Sequence, residues 1–152
     1  MKMSPLIPAI GAGWAGGFAG NALLGATFSS PWIREILYDP ALQSPIFVSL
    51  TSQRNIAMSV IGLIVLSGIH GVLFMLLHPS LPGRTWIRKG IAGGLMIWAT
   101  YWLFQEWFIY VTLFREPVIL AALELAILLS GALLEGLVIA RLISALVAFR
   151  LQ

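Results

Sequence analysis

Cysteine is absent from this chain of 152 residues. That excludes disulfides, thiolate metal sites and thioether-attached haem, and leaves the redox compartment open. Charge is scarce as well: Asp, Glu, Lys and Arg make up 10% of the residues, against roughly 25% in an ordinary soluble domain. The formal net charge of +3 comes from few side chains, so no nucleic-acid surface is expected and the position of each charge matters more than the sum. Two histidines and no Glu-x-x-His pair leave a di-metal helical bundle without its donors. No Ser, His and acid arrangement is specified by spacing, so nucleophilic catalysis has no support and the chain is expected not to be an enzyme.

What the chain has in abundance is apolar sequence, 59% hydrophobic with a mean hydropathy of +0.94. Four runs, about 5–28, 55–78, 90–114 and 117–140, are each long enough to cross a hydrocarbon core about 30 Å thick at about 1.5 Å per residue. Backbone groups in lipid must pair within their own segment, and four segments of this length exclude a barrel. The expectation is a single all-α domain over 1–152, a four-transmembrane-helix bundle in the lipid bilayer. Lys2, Arg84, Arg88, Lys89, Arg141 and Arg150 fall on one side, and Arg34, Arg54 and Arg115 on the other. The excess marks the cytoplasmic side, so a multi-pass protein of a bacterial inner membrane with both termini cytoplasmic is expected. A cleaved signal peptide is the rival for the first run, but that run is longer than a usual apolar region of about 7 to 15 residues.

The first loop, 29–54, is the longest. Ser30 as N-cap and Pro31 at the first helical position predict a short helix. Trp32, Ile33, Ile36 and Leu37 would form its apolar face, so it is expected to lie amphipathically on the bilayer surface. Asp39-Pro40 and Ser44-Pro45 break the chain, and Phe47 to Leu50 add a second surface turn. The second loop, with Pro82-Gly83 and its basic neighbours, reads as a tight turn facing anionic headgroups. The apolar sequence runs on past Arg141, so a helical extension over 141–150 is expected. A continuous helix from Pro117 to Phe149 would reach about 50 Å, more than a bilayer needs.

In the first run, Gly11, Gly13 and Gly16 spell the letters of a dinucleotide fingerprint without the preceding strand that it requires. The glycines instead form overlapping small-xxx-small pairs, Gly13 with Gly17 and Gly16 with Gly20. Such pairs let another helix approach closely, inside the bundle or on another subunit.

Against this apolar background the buried polar residues stand out. A charge at mid-bilayer costs roughly 2.5 to 3.5 kcal/mol on insertion scales. Counting about 1.5 Å per residue along alternating helices, Asn21, Glu106 and Glu124 fall at one level, roughly 10 to 12 Å below the outer boundary. Two carboxylates there repel, so one is expected to hold a proton or to bond a partner such as Asn21. Glu135 lies about three turns beyond Glu124 on the same inward face, at a depth near that of His70. Such a line of polar groups serves a proton or cation path, and equally a bundle that only satisfies its buried polar groups. His70 is also a candidate axial ligand for haem or chlorophyll, with Trp14, Trp98, Trp102 and Trp107 walling an aromatic pocket. The competing reading is a bonded packing histidine. Trp102, Trp107, Tyr110 and Phe114 also read as an interfacial aromatic belt.

The Gly-rich first helix ending near Asn21, the His78-Pro-Ser-Leu-Pro82-Gly-Arg turn leading to Lys89-Gly90 and Trp98, and Leu133-Leu-Glu135-Gly136 before Arg141 loosely resemble a group of small bacterial four-helix integral membrane proteins of unknown function. The resemblance covers most of the chain and implies a fold but no activity. From the residues themselves, the expected role is a non-enzymatic membrane subunit or homo-oligomer that packs through the glycine-rich helix. The alternatives are a proton or cation transporter using the buried carboxylates, and a tetrapyrrole-binding subunit using His70.

Overall fold

The computed structural model describes residues 6–150, and every regular element among them is helical. Lys2 and Pro5 lie outside the described residues, as do the side chains of Phe149 and Arg150. In chain order come α1 (Leu6–Phe28), α2 (Pro31–Leu37), α3 (Pro45–Thr51), α4 (Ile56–Leu77) and α5 (Trp86–Ile97). Two π-helical segments (Trp98–Trp102 and Gln105–Leu113) continue α5, and α6 (Val118–Arg150) closes the fold. Asn55 starts α4 by accepting the Met58 amide at 3.1 Å, and Thr85 starts α5 by accepting that of Arg88 at 3.4 Å. Such caps satisfy amides that the first helical turn leaves unpaired.

Two helices, α4 and α6, are long and apolar enough to cross a membrane. Glycine dilutes the apolar character of α1, and the third run is divided among α5 and the π segments rather than forming one α-helix over 90–114. The predicted extension over 141–150 is continuous with α6, and its first turns pack inward, with Ile143 1% exposed.

Packing places α1 and α6 at the centre. Helix α1 lies against both α4 and α6, α5 lies against α6, and α4 touches α6 only lightly. Glycine is what allows these approaches. A Cβ at Gly13 would collide with the Ser67 carbonyl and the Gly71 backbone of α4, and one at Gly17 with the Ser67 side chain. One at Gly16 would lie 2.8 Å from the Glu135 carbonyl, and one at Gly20 2.7 Å from that of Gly131. The four glycines therefore serve contacts within the chain, on two different helices. Gly90 and Gly94 repeat the device between α5 and α6, against Leu137 and Ala132.

The first loop departs from the predicted surface helix. Ile33 and Leu37 of α2 are 2% and 1% exposed and join Leu24 of α1 and Leu120, Ile127 and Leu128 of α6 in one core cluster. Trp32 and Ile36 point outward. Burying those two aliphatic side chains is worth about 1.5 to 3 kcal/mol each, enough to turn the helix onto the bundle end. Ser30 stands at the N-cap without a side-chain cap bond. The predicted turn at 47–50 is the centre of α3, whose Phe47 packs edge-on to Tyr110 at 5.0 Å between ring centres.

Candidate functional site

The π segments decide which side chains of the third run share a face. In an α register of about 100° per residue, Tyr101 and Tyr110 would lie on opposite sides of the helix. With i to i+5 pairing, nine residues make about two turns and the two rings align. Side-chain bonds follow the same spacing: Gln105 Nε2 donates to Tyr110 Oη at 3.0 Å and Thr112 Oγ1 to the Trp107 carbonyl at 2.8 Å. Thr100 Oγ1 donates to the Met96 carbonyl at 2.7 Å. A hydroxyl inserted into the ladder in this way is a recognised cause of helix irregularity.

That face closes one side of a cavity of about 1250 Å³. Asn21, Leu24 and Phe28 of α1 line its back, Val60, Leu63 and Leu66 of α4 the opposite wall, and Phe47 and Leu50 of α3 its roof. Glu106 and Glu124 reach it from the third run and from α6. Glu106 is 1% exposed, and its Oε2 is buried with no hydrogen-bond partner among the described residues. The two carboxyls lie within hydrogen-bonding reach of each other. A bond between them requires a proton, because ionised carboxylates only accept.

Asn21 shares the cavity but does not serve as the carboxyl partner that its level suggested. Its Nδ2 donates to the Gly17 carbonyl of its own helix at 2.8 Å. Arg54 stands exposed where the loop enters α4, its Nε donating to Ser59 Oγ at 3.1 Å. The roof is held by a clasp with no sequence signal. The Ser44 amide donates to Glu116 Oε2 at 2.7 Å, and Ser44 Oγ donates to the Phe114 carbonyl. Burial raises the Glu116 pKa above its ordinary value, with the Ser44 amide opposing the shift. Arg115, at φ 58°, turns the chain between them.

His70 and Glu135 form a second polar pair at the glycine-packed level, Nδ1 to Oε1 at 2.8 Å, with side chains 10% and 8% exposed. An ionised Glu135 requires Nδ1 to carry a proton, and in the neutral imidazole Nε2 is then the acceptor nitrogen. The imidazole stands edge-on to Tyr101, 6.5 Å between centres, and is not among the residues lining the cavity. A tetrapyrrole would need an open slot beside the ligating nitrogen, and His70 lines neither of the two cavities described. Nor do the tryptophans gather into a pocket. Trp14 donates to the Ile64 carbonyl at 3.0 Å and Trp98 to that of Leu125 at 2.9 Å, Trp107 is exposed, and Trp102 alone of the four lines the cavity. Tyr110 and Phe114 pack around Phe47.

At the other end of the bundle His78 Nε2 meets Ser144 Oγ at 3.3 Å, and Lys89 Nζ donates to the His78 carbonyl. Arg141 stands 5.6 Å over the Trp86 ring. A groove of about 350 Å³ there is lined by Pro8, Ala12, Leu142, Ala145 and Leu146, with no polar side chain to do chemistry. Among the described residues no group of three or more His, Asp or Glu side chains could hold a metal. No family model matches the chain, and neither a curated protein nor a solved structure is similar to it.

Proposed function

We propose that this chain is a non-enzymatic, multi-pass membrane protein that binds and exchanges protons or cations at Glu106 and Glu124. The observation that carries the reading is the buried Glu106 carboxyl, one oxygen of which has no hydrogen-bond partner among the described residues, placed beside a second carboxyl where both residues line a large cavity. Ionisable groups kept at such depth mark ion or proton pathways more often than packing sites. In this reading α1, α4, the third run and α6 are four spans, both termini are cytoplasmic in a bacterial inner membrane, and α2 and α3 cap the outer end. The Lys and Arg bias supports that orientation. His70 and Glu135 lie deeper, where a proton leaving the upper pair would next find an acceptor.

The test is flux in proteoliposomes under a pH gradient. Glu106→Gln and Glu124→Gln are expected to lower proton or cation flux at least tenfold, and Glu135→Gln to lower it less. Unchanged flux in the first two variants removes the proposal.

A second reading keeps the chain as a subunit of a membrane complex or a homo-oligomer. The α1 glycines are engaged within the chain, so the observation favouring it is the length of α6, about 50 Å on the helical rise, and the apolar groove beside its far end. A monodisperse monomer with no co-purifying protein after mild extraction would remove this reading.

A further inference from the structure

We infer that the cavity binds an amphiphilic organic ammonium ion, its head between Glu106, Glu124 and the aromatic rings and its tail along α4. The inference rests on the exchange of cations at the carboxyl pair and names the kind of cation.

Volume is the first argument. Water occupies about 30 Å³ of liquid, and pockets for drug-sized ligands run about 300 to 1,000 Å³. A cavity of about 1250 Å³ is far larger than a proton relay or a metal ion needs. Its lining is the second. Phe47, Tyr101, Trp102, Tyr110 and Phe114 contribute rings, and ring faces attract ammonium groups, quaternary ones included. Ile56, Val60, Leu63 and Leu66 give the α4 wall an apolar track, suited to hydrocarbon and not to a hydrated ion. Glu106 is among the lining residues and its buried Oε2 has no hydrogen-bond partner among the described residues, so its carboxyl is the acceptor group that the head would meet.

The route follows from packing. Helix α4 lies along α1 and only lightly on α6, and Ile56 and Val60 are 72% and 49% exposed beside the cavity. The gap between α4 and the π segments therefore opens sideways, toward lipid in the proposed topology. Arg54 stands at the loop end of the cavity, where its charge disfavours axial entry of a cation. The ionisable groups around the pair are Tyr38 after α2, Tyr101 and Tyr110 on the third run, Glu116 on the turn and Arg54 before α4. Binding one monovalent cation releases the proton shared by the carboxyls, so charge balances.

The experiment uses the full chain in nanodiscs of zwitterionic lipid. A hydrophobic carbodiimide modifies buried protonated carboxyls, and peptide mass spectrometry locates the adduct. Dodecyltrimethylammonium is expected to protect Glu106 and Glu124 at a concentration at least tenfold below that of tetramethylammonium. Dodecyl maltoside, neutral with the same tail, is expected not to protect at an equal mole fraction in the lipid. Leu63→Trp, which fills the α4 wall without touching the carboxyls, is expected to weaken protection at least fivefold, measured against the variant's own labelling without ligand. Equal protection by tetramethylammonium or sodium would overturn the amphiphile and leave the cation reading standing. Equal protection by the maltoside would overturn recognition of the charge. Absence of both labelling and cation-driven proton release would overturn the two together.

Discussion

The bundle has two polar pairs in two different settings. Around His70 and Glu135 the helices are drawn together by Gly13, Gly16, Gly17 and Gly20, and the pair is closed at 2.8 Å. Around Glu106 and Glu124 the helices separate, the cavity opens, and one carboxyl oxygen is left without a partner. The same residue type thus has a bonded partner in one half and an unpartnered oxygen in the other. What separates the two settings is the packing around the carboxyl, since apolar neighbours are common to both.

The largest effects should come from breaking the closed pair. His70→Leu leaves Glu135 buried without its partner, which costs about 3 to 5 kcal/mol and should lower the thermal midpoint in mild detergent sharply. Glu106→Gln in the open half should leave that midpoint unchanged or raised, because it removes the need for a proton between two acids. If both substitutions destabilise equally, the contrast between the halves is lost.

The glycines sharpen the comparison at smaller cost. Gly13→Ala forces a methyl into the α4 backbone and should destabilise by about 1 to 3 kcal/mol through overpacking. Gly25→Ala and Gly62→Ala, where nothing lies within 4 Å of an added Cβ, should stabilise by about 0.4 to 1 kcal/mol. Thermal unfolding of the three variants side by side tests this.

Smaller still is the roof. Arg115 sits in the left-handed region, so Arg115→Gly should gain up to about 1 kcal/mol with cavity labelling unchanged. The Glu116 carboxyl, raised by burial, holds its proton more firmly in the folded state than in the unfolded one. Its stabilisation is therefore complete below the ordinary value of 4.5 and is lost as pH rises through the raised one. Subtracting the unfolding profile of Glu116→Gln from that of the parent across this range should reveal the slope; parallel profiles would contradict it.

Sequence carried some of this and not the rest, for physical reasons. A constant helical rise is enough to set Glu106 level with Glu124 and His70 near Glu135, and the fold has both pairs adjacent. Small-residue spacing likewise identifies which face of α1 admits a neighbour. Tertiary choices leave no such periodic trace. Ile33 and Leu37 turn inward because a core at the end of the bundle takes them, whereas local pattern would group them with Trp32 and Ile36. The Ser44 and Glu116 clasp joins residues 72 positions apart. Asn21 bonds its own helix, a local alternative that depth counting does not register.

The widened register of the third helix makes its spacing intolerant of insertion and deletion. Removing a single residue between Trp98 and Gln105 would rotate everything beyond it by roughly a quarter of a turn, shifting Glu106, Tyr110 and Phe114 relative to the cavity together. A substitution alters one contact there, but a one-codon deletion would erase the site while leaving composition, hydropathy and helix count almost untouched. Any protein descended from the same ancestor is therefore expected to keep the length of this stretch more strictly than its letters.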